Sequence, residues 1–249
     1  MVNNTLGICT YNIHKGFSQL NRRMAIHELR AQLLALDPDI SFLQEVQGQH
    51  LKHADRHANW PPAPQHEFLA GDALHAAYGR NAIYDHGHHG NAVLSRYPII
   101  DESNHDVSIY RLEQRGILHC EIAPKTTPTI HCICVHLSLT EHQRRQQLVQ
   151  LAEYVEKHIP DRAPLIIAGD FNDWRRRAND WLPRRLDMVE AYTTLHGQPA
   201  RSYPSHLPLL HLDRIYLRGF EVISSKVFCG GAWSKVSDHA LLFASVRLT

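Results

Sequence analysis

Several features that mark whole classes of protein are missing from this 249-residue chain. No run of residues approaches the roughly 18 uninterrupted apolar residues of a membrane-spanning helix. Residues 1–9 have no basic region followed by an apolar stretch, which is the mark of a secretory leader. The chain also has no internal repeat, low-complexity tract or Gly/Ser-rich linker. We therefore expect a globular protein of the cytoplasm, with no transmembrane segment, no indication of an oligomer and one domain over residues 1–249.

Cysteine and net charge are both scarce. There are five cysteines, an odd number, and Cys120, Cys132 and Cys134 lie in or near apolar runs, which favours reduced, buried thiols over a disulfide framework. The formal net charge is only +1, so no global positive field argues for tight non-specific binding of DNA. Local basic clusters remain, each typical of a solvated face or of phosphate contact, at residues 144–145, 175–177 and 184–185.

Histidine is the residue in excess, with 20 in the chain. The segment D-H-G-H-H-G, residues 85–90, suggests a metal loop, and Cys132, Cys134 and His136 alternate along one predicted strand face. The glycines make the loop flexible, however, and no regular Cys or His spacing supports a zinc site. A zinc or nickel binder that uses the histidines of residues 85–90 is therefore kept only as an alternative.

Short apolar runs alternate with helical periods along the chain. The predicted strands are residues 6–13, 39–46, 91–95, 117–122, 130–137, 164–168, 212–217 and 240–248. A helical period over residues 22–36 predicts a helix that Pro38 stops, and Thr140–Gln143 has the spacing of a capping box that opens another. Helices that alternate with strands early, and strands that run close together elsewhere, predict mixed sheets. The fold class is thus α/β, with two packed β-sheets covered by helices.

Six of the apolar segments carry an Asn, Glu, His or Asp at or near one end. These residues are Asn12, Glu45, His136, Asp170 with Asn172, Asp213, and Asp238 with His239. Any one of them could be a cap or a turn residue, but strand ends and their loops gather along one edge of an α/β sandwich, the usual location of a site. The carboxylates would repel one another unless a divalent cation lay among them, and hard oxygen ligands suit Mg²⁺ or Mn²⁺. Histidines beside such a cluster suit proton transfer or charge stabilisation on a phosphoryl oxygen.

The chain resembles the endonuclease/exonuclease/phosphatase superfamily in seven segments that run in family order from Asn12 to His239. They read T-Y-N-I-H-K-G, L-Q-E-V, G-N-A-V-L-S-R-Y-P-I, V-H-L, G-D-F-N-D, L-D-R-I-Y and S-D-H-A-L. That group includes pancreatic-type deoxyribonucleases, apurinic endonucleases, inositol polyphosphate 5-phosphatases and bacterial sphingomyelinases. The chain is most similar to small bacterial members of largely unassigned substrate. The resemblance implies a four-layer α/β sandwich, two mixed β-sheets flanked by helices, with the site at the top of the two central sheets.

The resemblance also implies which residues hold the metal and the water. Glu45 would be the principal ligand of Mg²⁺ or Mn²⁺, with Asn12 and Asp238 near it. Asp170 would orient or deprotonate the attacking water, and Asn172 would hold a phosphate oxygen.

Further roles that the resemblance implies concern the histidines and the substrate. Asp213 would pair with His239 and fix its tautomer, while His136 would donate to the phosphate or assist the leaving group. Arg115 and Asn91 are the expected substrate-binding residues. Which group acts as the general base stays open.

The function implied is that of a metal-dependent hydrolase of phosphate esters, most of all an endonuclease-like phosphodiesterase acting on DNA. The alternatives are a phosphoesterase for a phospholipid or small phosphate ester and, third, a non-catalytic binding protein of the same fold. Two departures bear on the substrate. No obvious carboxylate supports His136 as in deoxyribonucleases, Glu113 being a weak candidate, and the chain lacks the insertions that sphingomyelinases use for membrane contact.

Overall fold

The structure is a computed structural model that describes residues 5–21, 23–57, 59–110, 113–175 and 178–249. Its strands are β1 (Thr5–Asn12), β2 (Ile40–His50), β3 (His75–Tyr84), β4 (Gly87–Ser95), β5 (Ile99–Asp106), β6 (Gly116–Ile122), β7 (Ile130–His136), β8 (Leu165–Asp170), β9 (Val189–Glu190), β10 (Asp213–Arg218), β11 (Phe220–Phe228) and β12 (Leu241–Leu248). Its α-helices are α1 (Ile26–Leu36), α2 (Leu51–Arg56), α3 (Gln65–Ala70), α4 (Glu141–His158), α5 (Ala178–Leu186) and α6 (Ala191–His196). Among these described helices, none is long and apolar enough to cross a membrane.

The strands form two mixed sheets. Sheet 1 has the order β11-β12-β1-β2-β4-β3 and sheet 2 the order β5-β6-β7-β8-β10-β9. Each sheet has one parallel pair at its centre, β1 with β2 and β7 with β8, and its other pairs are antiparallel. The carboxyl ends of a parallel pair meet at the same edge, so each sheet presents the ends of its two central strands together.

Three groups of buried apolar side chains hold the layers together. The first lies between the sheets, where Phe42 and Ile8 of sheet 1 pack with Cys134 and Ile166 of sheet 2. The second joins sheet 1 to α1 and α3, and the third joins sheet 2 to α4 and α5. The predicted four-layer α/β sandwich, two mixed β-sheets flanked by helices, is thereby confirmed.

Most predicted elements are present, with corrections at their ends. The helix predicted from Arg22 begins at Ile26, and Arg22 itself lies outside the described residues, as do Arg176 and Arg177 of one basic cluster. The second predicted helix begins where expected, but its capping box is not formed, because Thr140 makes no side-chain cap hydrogen bond. The prediction of a single domain over residues 1–249 stays a prediction.

Candidate active site

Strand register places three of the predicted residues in one row across sheet 2. His136 at the end of β7 lies opposite Asp170 at the end of β8, and Asp170 lies opposite Asp213 at the start of β10. In sheet 1 Asn12, at the end of β1, lies opposite Gln44 of β2, one residue before Glu45. Nδ2 of Asn12 lies 3.2 Å from Oδ2 of Asp170, so polar residues that end apolar runs of both sheets lie together.

The row continues into a buried chain of carboxylates and imidazole. Nδ1 of His239 lies 2.9 Å from Oδ2 of Asp213, and Nε2 of His239 lies 3.7 Å from Oδ2 of Asp170. Asp170 and Asp213 are 1% and 0% exposed, so water does not screen either carboxylate. The ligand atoms of Asp170, Asp213 and His239 all lie within 4.8 Å of one another.

Two asparagines fix the Asp170 carboxylate. The backbone N–H of Asn172 donates to Oδ1 at 2.9 Å, and Nδ2 of Asn12 donates to Oδ2 at 3.2 Å. Asn172 is itself held by a 2.9 Å hydrogen bond from its Nδ2 to the carbonyl of Leu137. Both carboxylate oxygens of Asp170 thus have a donor from the protein, which sets the plane of the group.

Burial and charge shift the pKa values of Asp170 and His239 in the same direction. Burial is the largest effect on Asp170 and, with the Asp213 carboxylate, raises its pKa to about 6 although the charge of His239 opposes this. Burial alone lowers the pKa of His239, but the Asp213 and Asp170 carboxylates outweigh it and raise the pKa to about 10. The site therefore favours a protonated His239 between two acidic groups.

His136 is oriented by an arginine. Nη1 of Arg115 lies 3.3 Å from Nδ1 of His136, and because a guanidinium only donates, Nδ1 must accept and the ring proton lies on Nε2. Nε2 lies 3.5 Å from Oδ2 of Asp170. Burial and the Arg115 charge hold the pKa of His136 well below its usual range. Glu113 contacts Arg115 at 2.9 Å instead of supporting the imidazole directly.

Glu45 faces the same region with a lysine beside it. Nζ of Lys15 lies 2.8 Å from Oε2 of Glu45. Burial acts to raise the pKa of Glu45, but the charge and the hydrogen bond of Lys15 outweigh it and hold the pKa well below its usual range. Glu45 also has φ +56° within a register shift of β2 against β4, between Leu43 and Val46. This bulge turns the side chain of Glu45 out of the regular alternation of the strand.

His14 connects Asp238 to the other site residues. Nδ1 of His14 lies 3.3 Å from Oδ1 of Asp238, and the backbone N–H of His14 donates to Oδ1 of Asn12 at 3.1 Å. The amide of Asn12 is thus engaged at both ends, with Asp170 and with the His14 backbone. The hydroxyl of Ser237 donates to the Asn12 carbonyl at 2.6 Å, which ties the S-D-H segment to the end of β1.

Oxygen donors in this region fit a hard divalent cation. Glu45 and Asp238 supply carboxylates. Oδ1 of Asp213 is buried without a hydrogen bond, and Oδ1 of Asp238 is buried with Nδ1 of His14 at 3.3 Å but accepts no hydrogen bond. Carboxylate oxygens with an amide nearby are what Mg²⁺ and Mn²⁺ prefer. The tightest group of the described residues here, however, is Asp170, Asp213 and His239, whereas Glu45 and Asp238 belong to no group of that compactness.

The two predicted substrate-binding residues have different surroundings. Arg115 lines a groove of about 350 Å³ and reaches His136 from it. Asn91 is 1% exposed, and its Nδ2 donates across the sheet interface to the carbonyls of Gly116 and Cys134 at 3.1 and 3.3 Å. Oδ1 of Asn91 is buried without a hydrogen bond.

Three neighbours of the site were not among the predicted site residues. Lys15 and His14 follow Asn12 in T-Y-N-I-H-K-G, and their place directly after a polar strand end is the signal that could have identified them. His89 is the third, and its Nδ1 is buried without a hydrogen bond. Burial and the charge of Lys15 lower the pKa of His89 to about 4, with Glu45 opposing them. His89 belongs to β4 and to the histidine-rich segment of residues 85–90.

In the part of the chain that the structure describes, neither zinc pattern suggested by the sequence, the histidines of residues 85–90 or the row of Cys132, Cys134 and His136, gathers three metal-ligating side chains. Cys132 and Cys134 are 0% exposed and pack in the core between the sheets, and burial raises the pKa of both above the ordinary thiol value. His88 contacts Tyr78 instead of a neighbouring histidine, with Nδ1 2.9 Å from the phenol oxygen.

The chain matches one protein family and a bacterial relative over nearly its whole length. The model of the Endonuclease/Exonuclease/phosphatase family matches residues 9–239. YbhP of Escherichia coli K12, described as an uncharacterized protein, is 47% identical over 244 residues, which are 97% of this chain and 96% of that protein.

Two solved structures share the fold at low identity. A humanized TDP2 of D. rerio has a TM-score of 0.71 at 18% identity, with 98% of this chain and 99% of that chain covered. TDP2 of D. rerio has also been solved complexed with single strand DNA product. The mannosyl-6-phosphatase Bt3783 of Bacteroides thetaiotaomicron has a TM-score of 0.73 at 15% identity, with 98% and 100% covered.

Proposed function

Since the chain belongs to the endonuclease/exonuclease/phosphatase family and is therefore a phosphoester hydrolase, we propose that it is a divalent-metal-dependent phosphodiesterase of endonuclease type. It hydrolyses a phosphodiester, DNA being the first candidate, by in-line attack of water on phosphorus. The observation that carries this proposal is the buried line of Asp213, His239 and Asp170, which ends at a carboxylate held by Asn12 and Asn172.

Asp170 orients the attacking water and accepts its proton. Hydrogen bonds from Asn172 and Asn12 fix the carboxylate plane, so the oxygen that faces the water does not have to be ordered during the reaction. A positioned general base of this kind contributes roughly 10²–10⁴-fold to the rate.

His136 and His239 stabilise charge on the phosphoryl oxygens. Both Nε2 atoms lie within 3.7 Å of Oδ2 of Asp170, so a phosphate beside that carboxylate is within reach of both rings. Arg115 engages Nδ1 of His136, and Asp213 engages Nδ1 of His239, which leaves both Nε2 atoms for the substrate. Asn172 adds its amide to the same phosphate.

Glu45 and Asp238, with Oδ1 of Asn12, are the residues that would hold Mg²⁺ or Mn²⁺. When bound, the cation supplies Lewis-acid stabilisation of charge on the phosphate oxygens. Lys15 is the positive charge beside Glu45 in this structure, and it keeps the carboxylate ionised and directed into the site.

DNA is preferred as substrate because the groove beside His136 offers two guanidinium groups and several amides. Arg115, Arg80, Asn81 and Asn104 line it, and such side chains contact phosphate and sugar groups along a nucleic acid. TDP2, which shares the fold, has been solved with a DNA product. We place the activity in the cytoplasm, and the five free thiols fit a reducing compartment.

A second candidate is a phospholipid or small phosphate ester. The net charge of +1 favours it, because sequence-independent binding of DNA depends on phosphate neutralisation by many cations. A mannosyl-6-phosphatase shares the same fold, so the fold itself accommodates small substrates.

The test is to incubate the purified protein with Mg²⁺ or Mn²⁺, and with EDTA, on supercoiled plasmid and in parallel on bis-p-nitrophenyl phosphate. Asp170→Ala should lose turnover on the substrate that the native protein cleaves, with the fold intact by circular dichroism. Asp161→Ala, at an exposed aspartate, is the matched control and should keep the native rate.

Each outcome distinguishes the candidates. Plasmid nicking that EDTA and Asp170→Ala both abolish supports the nuclease. Cleavage of the small diester with intact plasmid supports the second candidate, and activity on neither substrate supports a non-catalytic binding protein of this fold. Near-native rates in Asp170→Ala would overturn the assigned role of the carboxylate.

A further inference from the structure

A second group of metal-ligating side chains lies on sheet 2, away from the active site. His119 and Glu121 are two residues apart on β6, and Glu121 lies opposite His131 of β7. Nε2 of His119 lies 3.0 Å from Nδ1 of His131, and Oε1 of Glu121 lies 3.8 Å from the same Nδ1. All three ligand atoms lie within 4.8 Å of one another.

This group and the active site lie on opposite faces of β7. Cys132, Cys134 and His136 alternate along the face that packs against sheet 1. His131 alternates with Ile133 and Val135, which pack with the apolar side of α4. The five residues from His131 to His136 also separate the two places by roughly 16 Å along the strand.

The spacing of the donor atoms fits one small cation. Zinc–nitrogen bonds of about 2.0–2.1 Å put two imidazole nitrogens on a tetrahedral ion roughly 3.3 Å apart. The observed 3.0 Å needs little adjustment, and the carboxylate of Glu121 stands beside the pair. Both histidines are 7% exposed whereas the Glu121 side chain is 32% exposed. The two imidazoles are therefore shielded from solvent, and a cation can enter the group from the side of Glu121.

The surroundings supply the outer contacts that metal-binding histidines have. The hydroxyl of Tyr154, on α4, lies 3.1 Å from Nδ1 of His119, and Oγ of Ser103 lies 3.1 Å from the same hydroxyl. Engaging Nδ1 fixes the ring and leaves Nε2 to a ligand.

We propose that His119, Glu121 and His131 form a Zn²⁺ site. Two imidazoles and one carboxylate with an open fourth position are a donor set that zinc takes in proteins. The ion joins β6 to β7 under α4, so it stabilises this end of sheet 2 and takes no part in hydrolysis. The alternative is that one imidazole simply donates a hydrogen bond to the other.

The experiment measures zinc binding by isothermal titration in a His239→Ala, Glu45→Gln background, which disables the other three-residue group of the described chain and the cation site proposed at Glu45 and Asp238. We expect one equivalent of Zn²⁺, a rise in the thermal midpoint of unfolding, and a tetrahedral absorption spectrum with Co²⁺. Adding His131→Ala should abolish all three signals. His142→Ala, at an exposed histidine of α4, is the control and should change none of these signals.

Glu121→Gln is a second variant that keeps the proposal testable if His131→Ala does not fold. It leaves the imidazoles in place and, as a change at the rim, should weaken zinc binding by about tenfold or more. Absence of zinc binding, or binding that survives both His131→Ala and Glu121→Gln, overturns the proposal. The second result would place the ion elsewhere, for example at the stacked pair His50 and His53.

Discussion

Asp213 decides which ring nitrogen of His239 is turned toward the substrate. Its carboxylate accepts from Nδ1 at 2.9 Å and is wholly buried, so no water can replace it. An amide in its place could present its N–H₂ to Nδ1 and reverse the tautomer, which would leave no proton on Nε2.

We therefore expect Asp213→Asn to lower kcat by about 10²–10⁴-fold, the usual contribution of a positioned acid or base, with little change in KM. Steady-state kinetics on the substrate found above measure this, with unfolding by urea to show that the fold survives. Asp161→Asn, an exposed position, is the control and should behave as the native protein. A kcat within a few-fold of native in Asp213→Asn would remove the pair from the mechanism.

Glu45 is the residue whose role as a metal ligand is open to a direct test. Glu45→Gln keeps the shape of the side chain but removes the charge that pairs with Lys15. Because the cation would have few charged oxygen ligands, the loss of one should raise the Mg²⁺ concentration for half-maximal rate by about tenfold or more. Glu221→Gln makes the same change in an exposed pair with Arg247 and should leave the Mg²⁺ requirement unaltered. An unchanged requirement in Glu45→Gln would exclude this carboxylate as a ligand.

At the scale of elements, the site depends on how closely β8 approaches β7. Gly169 has φ +153°, and a Cβ there would lie 1.9 Å from the carbonyl oxygen of Val135 on β7. The residue immediately before Asp170 must therefore lack a side chain if His136 and Asp170 are to lie opposite each other.

Gly169→Ala should accordingly cost about 3 kcal/mol or more of the free energy of unfolding, because backbone atoms have to move. Gly197→Ala is the matched control: its φ is also positive, +73°, but nothing lies within 4 Å of the added Cβ. That variant should cost only about 1 kcal/mol, from backbone strain alone. Urea unfolding of the two proteins measures the difference, and equal costs would show that the approach of the strands is not limiting.

The strands that carry the site could be predicted because each is an apolar run that stops at a polar residue, as β8 does at Asp170. Four strands were not predicted, β3, β5, β9 and β11, and all four lie at sheet edges. In β5 seven of eight residues are exposed, so the sequence has no apolar alternation to read. The pairing of Glu45 with Lys15 depends on the bulge in β2, which the sequence does not indicate. Arg115 contacts His136 at the place where a supporting carboxylate was expected. This contact likewise depends on how distant segments are paired, which the sequence does not indicate.

For the molecule as a whole, the many histidines connect stability to pH. Burial is the largest cause that lowers the pKa of His53, His89 and His119 to about 4. A histidine whose pKa is lower in the folded state than in the unfolded state binds its proton mainly after unfolding. Its contribution to stability is complete above the unfolded pKa of about 6.5 and is lost as the pH falls through the interval down to the folded value.

His119→Gln isolates one of these groups, because it removes a titrating ring that is 7% exposed. In EDTA, the free energy of unfolding should fall between pH 6 and pH 5 for the native protein more steeply than for the variant, by about 1 kcal/mol per pH unit. The reason is that the variant, which lacks this ring, takes up one proton fewer when it unfolds. Urea unfolding at the two pH values measures both slopes. His142→Gln, which removes an exposed ring from α4, should keep the native slope. Equal slopes in all three proteins would mean that His119 is already protonated in the folded state at pH 5, and that burial does not hold it neutral.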